Sequence, residues 1–564
     1  MERRVEKAAC HEEDEQHADN DRNLVELGQH THRTRDEQDS CNDEKNSQIT
    51  DMPVHPWILH GRDMRRPRFM PLPQTRQIFA RAESEPNFHF STFGIYSGYP
   101  RKKARRPGSR MNENTLPQLP DELDIEKARL SNGMQVLLCR RPKLHRTCIL
   151  LNVASGCRDE RAPGTAHMLE HIIFRGSRSY PSLRLLSQAF EDHGADFNAY
   201  TAREVTSFDV SMPAESFDPV VKILGEVLSE PRLNGIAAER DIIREEILAD
   251  YDADKSLINV DDLLVSLFYG DAGHPIAGDP DDLARITKQE VVEFFSAHYA
   301  APNMLIVIAG PLGETGRILQ TLEDAFRPLR TDFRPWPRRE MPGIYLKALD
   351  SSPRPAPRLH VKRYDGATQS EILLGFLCPA PGWPGFAPLE MLVRVLDDGM
   401  ASRLSRKLVE DLALVYDAEA FLSTTTETTL MQIRATCRHR RVPKVVEAIY
   451  DILGELAREE IAEDELARIK RRVVWEHTGL TDGMPQLAQW LSTMALQALP
   501  CDIRTRCSLL LGATAAQIRE CAQALLRTQP HITAIVGDIT DKLAQDIRGV
   551  MQDRLGTDIG LTLK

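Results

Sequence analysis

No apolar stretch in this chain approaches the roughly 18 residues that a membrane-spanning helix needs, so its 41% hydrophobic content belongs to water-facing globular cores. No C-x-x-C pair occurs among the ten cysteines and no secretory leader precedes them, which points to reduced thiols rather than a disulfide framework. Basic charge is also short. The 71 Lys and Arg stand against 83 Asp and Glu, a net of −12, so overall electrostatics give a nucleic-acid partner no support. At 564 residues and roughly 150 residues per domain, the chain can build several cores.

The first 110 residues lack hydrophobic periodicity and divide by charge: 7 basic against 15 acidic residues over 1–51, then 12 against 3 over 52–110. Such blocks are solvated tails, so residues 1–115 are expected to be disordered, with Met111 as an alternative start. A transit peptide would place its arginines first, whereas Glu12-Glu13-Asp14-Glu15 comes ahead of the Arg-rich run. The expected location is cytoplasmic, with organellar import left open by Met52 and Met64.

Ordered patterning starts near Leu116. Asn132-Gly133 between apolar runs predicts a hairpin, and 148–153 reads as a further strand. Helical spacing follows at 167–174, 183–193, 217–228 and 236–251, and a buried strand closes the half at Gly310. Seven prolines between Pro328 and Pro357 exclude helix or central strand and mark a linker over 328–357. Strand-like 371–377, helical 387–396 and 403–412, and an apolar run ending at Gly537 then restart the pattern. The implied bodies are 116–327 and 358–564, α+β in class, with helices packed on antiparallel-rich sheets and an internal duplication.

His167-Met168-Leu169-Glu170-His171 is the sharpest local feature. On a helix, positions i and i+4 share a face, so both imidazoles can hold one metal while Glu170 stays beside them. Catalytic zinc takes three protein ligands and keeps a position for water, whose proton a neighbouring carboxylate can accept. By chance the pentad is expected roughly 0.04 times in a chain of this composition, so it favours function but needs a third ligand. Residues 239–247 offer Glu239, Glu245 and Glu246; Glu239 and Glu246 share a face, and Glu245 points about 100° away.

Taken with its neighbours, the pentad resembles the pitrilysin/insulinase family of zinc peptidases with the inverted H-x-x-E-H motif, the mitochondrial-processing-peptidase-like group included. The matching stretches are Ala154-Ser-Gly156-Cys-Arg158-Asp-Glu160, Gly164-Thr-Ala166, Phe174-Arg-Gly176-Ser177, Gly194-Ala-Asp-Phe-Asn198-Ala199-Tyr-Thr201, His274-Pro275, Tyr299, Pro302-Asn303-Met304, Ala401-Ser-Arg403-Leu404 and Leu414-Val-Tyr416. The resemblance implies two homologous domains forming half of a clamshell, with 116–327 the zinc-binding domain and 358–564 non-catalytic. It implies one Zn2+ per chain on His167, His171 and Glu246, with Glu245 as the runner-up ligand one register away. It further implies Glu170 as general base, Glu239 as a carboxylate orienting a ligand, and Asn198 and Ala199 at the strand edge where substrate docks.

In this family an Arg and a Tyr seven residues apart hold the substrate backbone. Tyr416 fits as the catalytic Tyr, but Val409 stands where the Arg is expected, and Arg406 lies one turn earlier. The resulting expectation is a zinc-dependent metalloendopeptidase acting on peptides or unfolded protein segments, as a homodimer or a heterodimer with a homologous subunit. The alternative is a partner-dependent or non-catalytic subunit of a two-chain complex. Neither nucleic acid nor a membrane span is expected.

Overall fold

The predicted Asn-Gly hairpin opens the ordered chain: β1 (Asp124–Arg129) and β2 (Gln135–Arg140) pair antiparallel, and the Leu130 amide closes the turn on Met134 O at 2.9 Å. The computed structural model describes residues 117–340 and 355–564; the expected tail and linker residues 341–354 lie outside the described residues. With β3 (Arg146–Val153), β4 (Asp196–Thr201), β5 (Thr206–Pro213) and β6 (Met304–Gly310), the first sheet has the order β1-β2-β6-β3-β5-β4. The second sheet comprises β7 (Arg358–Arg363), β8 (Ser370–Pro379), β9 (Ala418–Thr424), β10 (Thr428–Cys437), β11 (His531–Gly537) and β12 (Gly560–Leu563), ordered β12-β7-β11-β8-β10-β9.

Five strands repeat in the same spatial order. β2 and β6 run parallel, as do β7 and β11, and the inner neighbours β3 and β8 run antiparallel to β6 and β11. Only the outer strand differs, β1 arriving as a hairpin from upstream and β12 as a parallel strand from the C-terminus. Both halves also close on an equivalent glycine. Gly310 and Gly537 adopt φ of +151° and +156°, and a Cβ there would meet Thr147 Cα at 2.8 Å and Ser370 Oγ at 2.4 Å. This is a two-domain α+β fold with a duplicated sheet.

Strands buried on both faces need cover on both. Helices of the same half cover one face of the first sheet. On the other face, Leu150 and Val307 share a buried cluster with Leu487 and Leu491 of the helix Met484–Leu496, which belongs to the second half. The exchange is reciprocal: Leu264 and Phe268 of the helix Val260–Tyr269 join Leu373, Ile532 and Val536 on the second sheet. Gly375 makes room for them, since a Cβ there would lie 2.7 Å from Leu264 Cδ2.

Two helices differ from expectation. The helix over 236–251 stops at Ile247, after which Leu248–Asp250 tightens to a 3-10 turn and Asp250 O accepts the Ile258 amide at 2.8 Å. The helix over 403–412 is a π-helix at Ser405–Asp411, with wider bonds such as Leu412 N–H to Lys407 O at 3.1 Å.

Candidate metal centre

The pentad lies on the helix Thr165–Ile173, whose Ala166, Met168, Leu169, Ile172 and Ile173 are buried in the first core. That apolar face fixes the opposite one. Its start is built closely: Gly164 has φ +87°, and a Cβ there would meet Ala277 O at 2.4 Å. Buried Glu160 accepts the amides of Gly164 and Ala166, both at 2.6 Å, satisfying donors that a helix N-terminus leaves open. Burial pushes the Glu160 carboxyl well above the usual range, against the pull of those two amides. Replacing Gly164 by Ala should therefore cost roughly 2 kcal/mol or more from backbone strain and collision. Thermal unfolding of the metal-free variant beside the parent measures it, and an unchanged midpoint would mean that this junction is slack.

The third partner comes from the helix Ile236–Ile247, seated by Ile243 and Ile247 in the same core. Glu246 Oε1 lies 3.8 Å from His167 Nε2, and its Oε2 lies 3.5 Å from His171 Nε2. The ring centroids of His167 and His171 are 4.7 Å apart, and one donor atom from each of the three residues falls within 4.8 Å of the others. A tetrahedral ion at about 2.1 Å from its donors sets them about 3.4 Å apart, so this set fits zinc in spacing and in its two nitrogens and one carboxylate. Glu245 is exposed and outside the cluster.

Glu239 sits behind His171, its Oε2 3.1 Å from Nδ1, with Arg175 Nε paired to Oε1. With Nδ1–H donating to Glu239, Nε2 is left facing Glu246; a carboxylate behind a ligating imidazole fixes its tautomer and orientation. Burial favours the neutral Glu239 carboxyl, but bonds from His171 and Arg175 hold it below the usual range. Burial likewise opposes charge on His171, yet Glu239 and Glu246 outweigh it and push its pKa up to about 10. The cluster is built to hold positive charge.

Glu170 is on the same helix, and its Oε2 accepts the Thr201 hydroxyl at 2.9 Å. Thr201 ends β4, the outermost strand of the sheet, and Asn198 and Ala199 of β4 line the same cavity as His167, Glu170, His171 and Glu246. That cavity has a volume of about 680 Å3 and is bounded across from the cluster by β9 and by residues such as Phe386 and Gln489 of the second half. Tyr200 Oη and Gln489 are hydrogen-bonded at 2.9 Å, tying β4 to the exchanged helix.

Thus the structure gathers His167, Glu170, His171, Glu239, Glu246, Asn198 and Ala199. It does not bring Tyr416 to them. Tyr416 is 96% exposed and outside the cavity lining, Val409 packs against the second core, and Arg406 lines a separate groove with Glu410 and Arg468. Glu160 and Thr201 close two of the matching stretches, but the sequence alone gives neither a role. Alternation along β4 puts Thr201 on the face of buried Ala199, a signal that its hydroxyl turns inward.

Residues 135–277 match the model of the insulinase family (peptidase family M16), and 285–473 match the peptidase M16 inactive domain; together they span more than half of the chain. An uncharacterized zinc protease of Mycobacterium bovis is 27% identical over 343 residues, covering 60% of this chain and 75% of that one. The uncharacterized zinc protease YmxG of Bacillus subtilis is 24% identical over 358 residues, covering 62% and 82%. Among solved structures, a protease from Helicobacter pylori aligns with TM-score 0.65 at 20% identity over 74% of this chain and all of the other. The M16 inactive domain from Pseudomonas fluorescens aligns at 0.65 and 17% identity over 74% and 99%. With the pentad, the duplicated sheets and both domain models in one chain, this protein belongs to the insulinase family, peptidase family M16.

Proposed function

We propose that the chain is a zinc-dependent metalloendopeptidase hydrolysing peptides or unfolded protein segments, with one Zn2+ held by His167, His171 and Glu246. The observation that carries this is the convergence of those three side chains with Glu170 on one wall of a cavity bounded by an open strand edge. Bound there, zinc supplies the Lewis acidity that makes water nucleophilic near neutral pH. Glu170 takes the proton of the attacking water and returns it to the departing amine. Glu239 keeps His171 in its ligating tautomer. The free edge of β4 offers backbone groups to an extended peptide at Asn198 and Ala199, a mode that tolerates many side chains. Residues 116–327 carry this chemistry, and 358–564 supply the opposite wall. The eight described cysteines are buried and none of them is in a disulfide, which supports a reducing, cytoplasmic setting.

Elemental analysis of the full chain should find about one zinc per chain. A chelator should abolish cleavage of denatured, fluorescein-labelled casein, and added zinc should restore it. Cleavage that persists in metal-free protein would sink the proposal.

A second reading rests on Val409 and on the exposure of Tyr416 away from its own cavity. In it, the substrate-holding Arg and Tyr come from a homologous partner, and Tyr416 serves in a dimer. Activity confined to a mixture with such a partner would favour this reading; full activity at dilutions where the chain is monomeric would exclude it.

A further inference from the structure

We infer that Thr201 is a positioning residue that fixes the Glu170 carboxylate to the substrate-docking strand; this rests on the peptidase reading. Thr201 is buried on the helix-facing side of β4, where a hydroxyl must find a partner, and the partner is Glu170 Oε2 at 2.9 Å. The two ends of that bond differ in freedom. Thr201 has a short β-branched side chain, restricted at its one torsion, and a backbone pinned at the hairpin between β4 and β5. Its register partner is Thr206, the Ala202 amide bonds Val205 O at 2.7 Å, and Ala202 O accepts the Cys157 amide at 3.1 Å. Glu170 carries a long, flexible side chain whose ordering costs entropy. A hydrogen bond to a carboxylate is stronger than a neutral one and directional, so the rigid partner sets the position of the flexible one.

The strand makes this more than local support. Asn198 and Ala199 line the cavity from the same six-residue strand. A peptide adding to the free edge of β4 takes its register from β4, and through Thr201 the proton acceptor takes its position from β4 as well. Base and scissile bond are then aligned by one element.

The test compares the full chain with Thr201→Val, Thr201→Ser and Glu170→Gln. Valine keeps the shape and suits a strand, so Thr201→Val should fold and retain about one zinc per chain. On an internally quenched peptide that the parent cleaves, kcat should fall about ten- to hundredfold with KM within about threefold, because misplacing a reacting group taxes the chemical step. Thr201→Ser should recover kcat to within about threefold of the parent. In crystal structures, Glu170 should leave its parental position in Thr201→Val and keep it in Thr201→Ser. Unchanged kcat in Thr201→Val, or equal losses in the Val and Ser variants, would overturn the inference. If the parent cleaves no peptide, alone or mixed with a homologous partner, the peptidase reading fails, and the crystal structures alone decide: Glu170 in the same place in parent and Thr201→Val overturns the role of Thr201.

Discussion

Glu170→Gln is expected to keep the fold and its zinc while losing peptide cleavage by about 10²- to 10⁴-fold, the usual contribution of a positioned general base. The reason is that the side chain keeps its shape and its bond to Thr201 while losing the charge and the proton affinity of a carboxylate. Glutamine has the shape of glutamate, its amide oxygen can still accept the Thr201 hydroxyl, and the three proposed ligands His167, His171 and Glu246 are untouched. No buried apolar contact is removed either, since the helix is seated by Ala166, Met168, Leu169, Ile172 and Ile173. Zinc content and the unfolding midpoint should therefore match the parent, and the loss should fall on kcat. Activity within about threefold of the parent would show that the proton goes elsewhere and that Glu170 only decorates the helix face. Loss of zinc in this variant would be equally damaging, because it would make Glu170 a ligand and reopen the identity of the third one.

How far the residues themselves announced this site differs from part to part. The pentad was legible because a helix period and a metal's need for adjacent donors fall on the same five positions. Glu239 and Glu246 were legible as a pair by their shared face, whereas choosing between Glu246 and Glu245 required knowing which way the helix Ile236–Ile247 is rolled. Burial of Ile243 and Ile247 settles that roll and sends Glu245 to solvent. Strands were legible where apolar runs were flanked by turns, and the equivalent ends at Gly310 and Gly537 do mark equivalent strands. Tertiary facts stayed hidden. Periodicity makes the helices Val260–Tyr269 and Met484–Leu496 amphipathic without saying that each covers the other half's sheet. Likewise Glu160 reads as one acid among many until the fold places it under the two amides that open the helix Thr165–Ile173.

Glu246→Gln should lower zinc affinity by several orders of magnitude, and Glu245→Gln should leave it unchanged. Among the described residues, Glu246 is the side chain whose two oxygens face both imidazoles, so its loss removes one of the three proposed anchors and one of the negative charges that draw the cation. The same geometry fixes the pH dependence. His171, raised to about 10 by Glu239 and Glu246 against the opposing effect of burial, is protonated near neutrality in the metal-free chain and must give up that proton to bind zinc. Apparent zinc affinity should thus rise about tenfold per pH unit between pH 6 and 8, measured by competition with a chelator of known affinity. The sign for the metal-free fold is opposite. A folded pKa above the ordinary value of 6.5 stabilises the fold fully below that value, and the contribution is lost as pH rises through about 10. Glu246→Gln removes one of the three carboxylates that raise it, Glu239, Glu246 and Glu170, so the alkaline loss of stability in the metal-free variant should begin at lower pH than in the parent. Zinc affinity independent of pH, or a Glu245→Gln variant as impaired as Glu246→Gln, would contradict the ligand set.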